Sequence, residues 1–330
     1  AGGAYMPGMS DVVIAVEGRG RAALAGAALL HAATGEVADE EELGGALMHA
    51  TTSGLVEYLA DDDSHALQMA RDVIRRLGWN ARCDVSHPAE FEEPEYNPDE
   101  LAGAIPLDYK QAYDVCELIA RIVDASDFEP FKSRFGPSTV CTTASIRGYA
   151  CGLIGNNGPI DADGAAKVAQ FVQLCDQSDH PLIFLNNTTG YMVGVQYEQA
   201  GMIKHGSKMI QAVSNVRVPR ISLYVGASFG AGNYGMCGYG FDPDFLFSWP
   251  NARTGVMGGM QAAKTMSQVA RVAAKRRGQE IDAALLEAQE KKVVALFDGQ
   301  SDAFYTSGRA LDQGVIDPRD TRKVLSFVLE

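Results

Sequence analysis

The stretch TVCTTASIRGYACGLIGNNGPIDADGAAKVAQFVQLCDQSDHPLIFLNN, residues 139–187, decides the fold class. Thr139 to Ile146 and Tyr149 to Asn157 alternate like two strands, with Arg147-Gly148 as the turn between them. Asp163 to Ser178 carries apolar residues at helical spacing, and Pro181 to Asn187 is a short apolar run that predicts a third strand. Working outward, Tyr197 to Val216 predicts a helix and Arg220 to Ala227 a further strand, so strands and helices alternate in the order of an α/β fold. A helical pattern then runs from Lys264 to about Phe297, interrupted at Gly278. Upstream, DVSHPAEFEEPEYNPDELAGAIP (84–106) is acidic and holds four prolines, which predicts a linker and a domain boundary near residues 95–96.

With 330 residues, 46% of them apolar, the chain can build a substantial core in two domains. Its 28 basic and 42 acidic residues leave a net charge of -14, so no basic face is expected for a nucleic-acid backbone. The six cysteines lie far apart without C-x-x-C spacing, which argues against a zinc site or a disulfide framework and points to a reducing compartment. Ile221 to Phe241 lacks charge, but its six glycines with Ser222, Ser228 and Asn233 suit buried backbone and not a membrane span. Opening at Ala1 directly on a glycine turn, with no strand before it, the chain is expected to be part of a longer polypeptide.

Ala1-Gly2, Met6 and Gly8 recur as Ala231-Gly232, Met236 and Gly238 at a constant offset of 230. The ordered series continues: Asp11-Val-Val-Ile resembles Asp244-Phe-Leu-Phe, Leu24-Ala-Gly26 resembles Val256-Met-Gly258, and Ser53-Gly-Leu-Val-Glu57 resembles Gln313-Gly-Val-Ile-Asp317, with the offset drifting to 260. So long a period predicts a duplicated domain whose first copy is present only as its second half.

Catalytic side-chain motifs are missing: there is no G-x-S-x-G, H-E-x-x-H or G-x-x-x-x-G-K-[ST], and the six histidines are scattered. Asp61-Asp62-Asp63 reads as a solvated helix start and not as a cation site. Tyr191 ends a strand in the polar loop NNTTGYMVG (186–194), a common position for a cleft in α/β sheets, and a plain structural loop fits it equally well. The remaining candidates are the turns Ala1-Gly2-Gly3-Ala4 and Gly230-Ala231-Gly232-Asn233. Small residues let a ligand approach the backbone, and consecutive amides at a helix start can hold an oxyanion without any reactive side chain. The alternative for either turn is close packing of helix on strand.

GASFGAGNYGMCGYGFDPDFLFSWPNARTGVMGGMQAA (226–263) resembles the carboxyltransferase (beta) subunits of biotin-dependent acyl-CoA carboxylases, nearest the methylcrotonoyl-CoA and geranyl-CoA carboxylase branch. The resemblance extends over essentially the whole chain through AGGAYMPGMSD at Ala1, AATGE at Ala32, ELGGA at Glu42, GLIGNNG at Gly152, FVQLCDQSDHPLIFLNNTTGYMVG at Phe171 and DQGVIDP at Asp312. It implies tandem crotonase-like ββα domains of the ClpP/crotonase superfamily, with 1–95 as the C-terminal part of the first carboxyltransferase domain and 96–330 as the second. By the same resemblance the amides of Gly2 and Gly3 hold the enolate oxygen of an acyl-CoA thioester. Those of Ala231 and Gly232, with that of Tyr191, hold the ureido oxygen of biotin. The implied partners are a biotin carboxylase and biotin carboxyl carrier (alpha) subunit, which bears the biotin, and further beta subunits in a hexamer. No metal is implied, and the setting is bacterial cytoplasm or mitochondrial matrix.

Against the nearest branch, Met260 stands where Glu is usual, Tyr239 where Arg is usual and Leu311 where Trp is usual. The first two remove charge beside the second glycine turn, which makes Met260 a candidate acyl-pocket residue or a repacked contact. Competing readings are a biotin-dependent decarboxylase subunit and a non-catalytic assembly subunit.

Overall fold

A computed structural model of the chain describes residues 2–77, 90–106, 108, 111, 113–278 and 282–330. In the first of these stretches α1 (Tyr5–Gly8), β1 (Ile14–Val16), α2 (Ala27–Thr34), α3 (Glu40–Gly44), α4 (Ala46–Met48), β2 (Tyr58–Ala60) and α5 (Asp63–Arg76) follow one another, and β1 pairs β2 in parallel. The acidic run starts α5 as expected, since the Asp62 carboxylate accepts the His65 amide at 2.8 Å and satisfies a first-turn donor.

The remainder is a six-stranded sheet with helices on both faces. After α6 (Leu101–Ala104) and α7 (Cys116–Ile122) come β3 (Thr139–Ile146) and β4 (Tyr149–Asn156), an antiparallel hairpin. Its two turn residues, Arg147 and Gly148, have φ of 49° and 82°, as a two-residue hairpin turn requires, and the Asp124 carboxylate accepts both their amides at 2.7 and 2.8 Å. Next are α8 (Ala162–Gln177), β5 (Leu182–Thr188), α9 (Val195–Gln199), α10 (Met202–Asn215) and β6 (Arg220–Phe229). Then α11 (Gly230–Gly235), β7 (Phe245–Ser248), β8 (Arg253–Gly255), α12 (Gly259–Arg277), α13 (Ala283–Ser301), α14 (Ala303–Ser307) and α15 (Thr321–Leu329) complete the chain. Sheet order is β3-β4-β5-β6-β7, parallel from β4 onward, with β8 pairing the end of β6.

Strand residues alternate between two cores. Ile154 and Phe184 face Val168, Phe171 and Met209, whereas Leu153, Ile183 and Leu223 face Leu118, Trp249 and Leu325. Each such side chain, taken fully out of water, contributes roughly 1.5 to 3 kcal/mol, which is why strands buried on both faces read as continuous apolar runs. No helix among the described residues is long and apolar enough to cross a membrane.

Two expectations need correction. The helix read over Tyr197–Val216 is broken into α9 and α10, because Gly201 adopts φ 80° between them. Of the expected linker, residues 84–89 lie outside the described residues, and 90–106 are docked on the sheet domain. Pro98 opens a short helical turn capped by Asn97, a position where a missing amide costs nothing, and Leu101 is buried in the core that includes Leu325. Arg322 of α15 holds this segment through the Glu93 carboxylate at 3.0 Å and the Glu92 carbonyl at 3.4 Å, and also pairs Asp124 at 2.7 Å.

The sequence repeat has geometric counterparts. Parallel pairing of β1 with β2 matches the parallel bridge of Ser248 to Val315, and the antiparallel bridge Arg21 to Gly45 matches Arg253 to Asp302. Gly26 and Gly258 cap α2 and α12 with nearly the same backbone, φ/ψ −67°/164° and −65°/147°.

Residues 2–77 meet the sheet domain at a buried ion pair that sequence reading did not flag. Lys132 Nζ lies 3.2 Å from the Glu57 carboxylate, with side chains only 6% and 2% exposed. The same carboxylate accepts the Val13 amide at 2.6 Å and the Gln170 side-chain amide at 3.1 Å, and Lys132 Nζ also donates to the Gly54 carbonyl.

Candidate functional site

The second glycine turn leaves the end of β6, a strand buried almost throughout, at the C-terminal edge where α/β sheets bind ligands. Phe229 is still extended, and Gly230 then takes φ 54°, a left-handed turn that a side chain would strain; a Cβ there would also meet the Val256 carbonyl at 2.9 Å. The turn aims the first amides of α11 outward. Those of Ala231 and Gly232 have no carbonyl four residues back within the helix, and no carbonyl outside it takes them up among the described residues. Ala231 is exposed and Gly232 is buried.

Gly232 is pinned from the neighbouring strand. A Cβ on it would lie 2.8 Å from Gly190 Cα and 3.1 Å from Thr188 Cγ2, so the loop after β5 touches the turn backbone to backbone. That loop is fixed in turn: Ile160 donates to the Gly190 carbonyl at 3.0 Å and Met192 to the Ile160 carbonyl at 2.8 Å. Since successive peptides alternate in direction, the Tyr191 amide between them faces away from Ile160. The structure therefore places the Tyr191 backbone one residue from the contact with Gly232. Its side chain does something else, packing against Gly206 of α10 and Gly235 of α11 and donating to Met209 Sδ at 3.7 Å, and burial pushes the phenol well above its usual range.

Beneath the turn lies a polar network that sequence reading missed. Asn233 Nδ2 donates to Tyr224 Oη and Ser228 Oγ, both at 2.9 Å; Ser228 Oγ donates to Asn186 Oδ1 at 3.1 Å; Asn186 Nδ2 reaches the Met236 carbonyl at 3.1 Å. Asn187 Oδ1 accepts the Ala227 amide at 2.9 Å. The available signal was the appearance of Asn and Ser inside otherwise apolar strands, where an unpaired polar group would be costly and a closed network is the natural explanation.

The first turn is built differently. Gly2–Ala4 form one helical turn leading into α1, Gly3 is exposed, and a Cβ on Gly3 would meet nothing within 4 Å. The atoms nearest a Cβ on Gly232 belong to Gly190 and Thr188, and none belongs to Gly3. Met260 is 49% exposed in the first turn of α12, shortly after β8, which pairs β6 beside the second turn. A cavity of about 580 Å³ lies between α5 and α8, lined by residues such as Tyr58, Met69 and Phe171, and contains no residue of either turn.

The described cysteines are held as thiols. Burial raises all five described cysteines, Cys237 at the end of α11 to about 11, and Cys116 and Cys141 to about 12. At pH 8 about one Cys237 in a thousand is then thiolate. In the folded protein these five thiols are expected to resist iodoacetamide at pH 8 and to react once the chain is unfolded in urea; mass spectrometry of the alkylated peptides checks this. No group of three or more His, Cys, Asp or Glu suited to a metal ion occurs among the described residues.

The carboxyl transferase domain family matches residues 1–330. The methylcrotonoyl-CoA carboxylase beta chain of Arabidopsis thaliana is 46% identical over 334 residues, covering 100% of this chain and 57% of its own length. Among solved structures, the P. aeruginosa geranyl-CoA carboxylase beta subunit is 50% identical with a TM-score of 0.69, covering 100% of this chain and 61% of that one. A transcarboxylase 12S hexamer structure is 28% identical with a TM-score of 0.85, covering 100% and 62%. The chain spans 56% to 62% of the length of the carboxylase beta chains it matches.

Proposed function

The chain belongs to the carboxyl transferase domain family, and on that premise we propose that it is carboxyltransferase machinery of a biotin-dependent acyl-CoA carboxylase, acting on a methylcrotonoyl-CoA-like or longer acyl-CoA. The observation that carries the reading is the pair of unengaged amides at Ala231 and Gly232, held stiff by Gly190 and by the Asn186, Ser228 and Asn233 network. Such preorganised donors stabilise charge that develops on an oxygen, and they act without a side-chain base.

In this reading Ala231 and Gly232, with the Tyr191 amide, orient the ureido oxygen of biotin, and Gly2 and Gly3 hold the enolate oxygen of the acyl-CoA. Carboxybiotin, brought by a biotin carboxylase and carrier (alpha) subunit, supplies the carboxyl group and, once that group has left, a basic ureido nitrogen. The paired bridges and the paired caps Gly26 and Gly258 support tandem crotonase-like domains. In this reading each active site takes its Gly2–Gly3 turn and its Ala231–Gly232 turn from different subunits of a hexamer. The location is bacterial cytoplasm or mitochondrial matrix.

The test is to combine the full-length chain with its biotinylated partner, ATP, bicarbonate and acyl-CoAs of graded length. Partner-dependent carboxylation is expected; turnover without biotin, or none with a partner that is itself carboxylated, overturns the reading. Met260→Glu belongs in the same panel. A carboxylate in the first turn of α12 suits the helix dipole, so the fold should survive, and the preference is expected to move toward short acyl chains. An unchanged ratio makes Met260 a packing residue.

A further inference from the structure

In a chain with 14 more acidic than basic residues, the 19 residues of α12 contain Lys264, Arg271, Lys275, Arg276 and Arg277 and no acid at all. All five are exposed, and none forms an ion pair among the described residues. Elsewhere most arginines are paired, as Arg121 is with Glu100 and Glu117, and Arg217 is with Asp176. At 100° per residue Lys264, Arg271 and Lys275 fall within about 40° of one another on the helix surface, spread along about 16 Å of its axis. Met260 lies on the same strip one turn earlier. The strip begins beside the second glycine turn, because β8 pairs the last residues of β6 and a Cβ on Gly230 would touch the Val256 carbonyl.

We propose that this basic strip of α12 docks an acidic face of the protein that carries biotin, guiding it to the Ala231–Gly232 turn. The inference rests on the carboxyltransferase reading, and within that reading the position of the strip selects its occupant. Biotin arrives at the second turn tethered to a protein, whereas the phosphate-bearing acyl-CoA is held at the first. Cations lined up toward a site, with no ion pair among the described residues, raise the encounter rate of an anionic partner, and the effect fades with salt.

The test uses the full-length chain with the variant K264Q/R271Q/K275Q, titrated with the biotinylated partner subunit between about 20 and 300 mM salt. Expected is a fall of about tenfold in kcat/KM for the partner at low salt. The gap should close at high salt, with kcat at saturating partner, the KM for acyl-CoA and turnover with free biocytin all unchanged. R277Q, on the opposite side of the helix, should behave as the parent. The docking proposal is overturned if the acyl-CoA KM rises instead, which gives the strip to CoA phosphates. It is equally overturned if the variant loses its oligomeric state on sizing, which makes the strip a contact between copies, or if every parameter matches the parent. A parent that transfers no carboxyl group from either biotin source removes the carboxyltransferase reading and the docking proposal together, whereas an active parent with an indistinguishable variant removes the docking alone.

Discussion

Gly232→Ala is expected to lower carboxyl transfer by about a hundred- to a thousandfold, the loss typical of one misplaced oxyanion donor, or about 3 to 4 kcal/mol. The added methyl group would sit 2.8 Å from Gly190 Cα and 3.1 Å from Thr188 Cγ2. Backbone cannot rotate out of the way, so either α11 or the 188–191 loop must shift, and each carries one of the amides assigned to the ureido oxygen. Ala231→Gly is the matched control: its methyl group is exposed, both amides survive, and a helix-propensity cost of about 1 kcal/mol leaves the rate within a few-fold of the parent. Turnover with the biotinylated partner is the measurement, with sizing and Tm recorded for both variants. A folded Gly232→Ala chain at full rate would place the site elsewhere.

Lys132→Met is expected to destabilise the fold by about 3 to 5 kcal/mol, read from the shift in the urea midpoint. Removing the ammonium leaves the Glu57 carboxylate buried with only the Val13 and Gln170 donors. Burial already raises the Glu57 pKa above its ordinary 4.5, and Lys132 is the main influence lowering it. In the variant the folded-state value rises further above the unfolded one. Its deficit relative to the parent should therefore be small below about pH 4.5 and grow as pH climbs through the folded-state value. Adding Glu57→Leu removes the stranded charge and should recover part of the loss. A variant as stable as the parent at pH 7 would show that the pair contributes nothing to the seam between residues 2–77 and the sheet domain.

Local pattern carried much of the fold. The hairpin at Arg147-Gly148, the helix after Asp161 and the strands through Asn187 and Ala227 are where period and turn chemistry agree, and there the elements fall within two residues of the reading. Pattern failed where a single backbone angle decides, as at Gly201, and where a distant group intervenes, as when Arg322 and the Leu325 core turn proline-rich 90–106 from a free connection into docked chain. The glycine turn was visible as composition. What stiffens it was not, because the closure of Asn186, Ser228 and Asn233 depends on three elements meeting in space. Tyr191 was legible as a loop position at a strand end, but not the commitment of its phenol to packing α10 on α11.

The clasp between Arg322 and Glu93 spans 229 residues of sequence. A ribosome adding about 5 to 20 residues per second makes Arg322 some ten to forty-five seconds after Glu93. Throughout that interval the acidic, proline-rich segment has only its nearer partners, such as Arg121 on Glu100 at 2.8 Å and Ser126 Oγ on the Glu95 amide at 3.0 Å, and Leu101 has no Leu325 to pack against. The core that holds Leu101 against Leu118 and Ile119 is therefore completed only when Arg322 and Leu325 of α15 have left the ribosome.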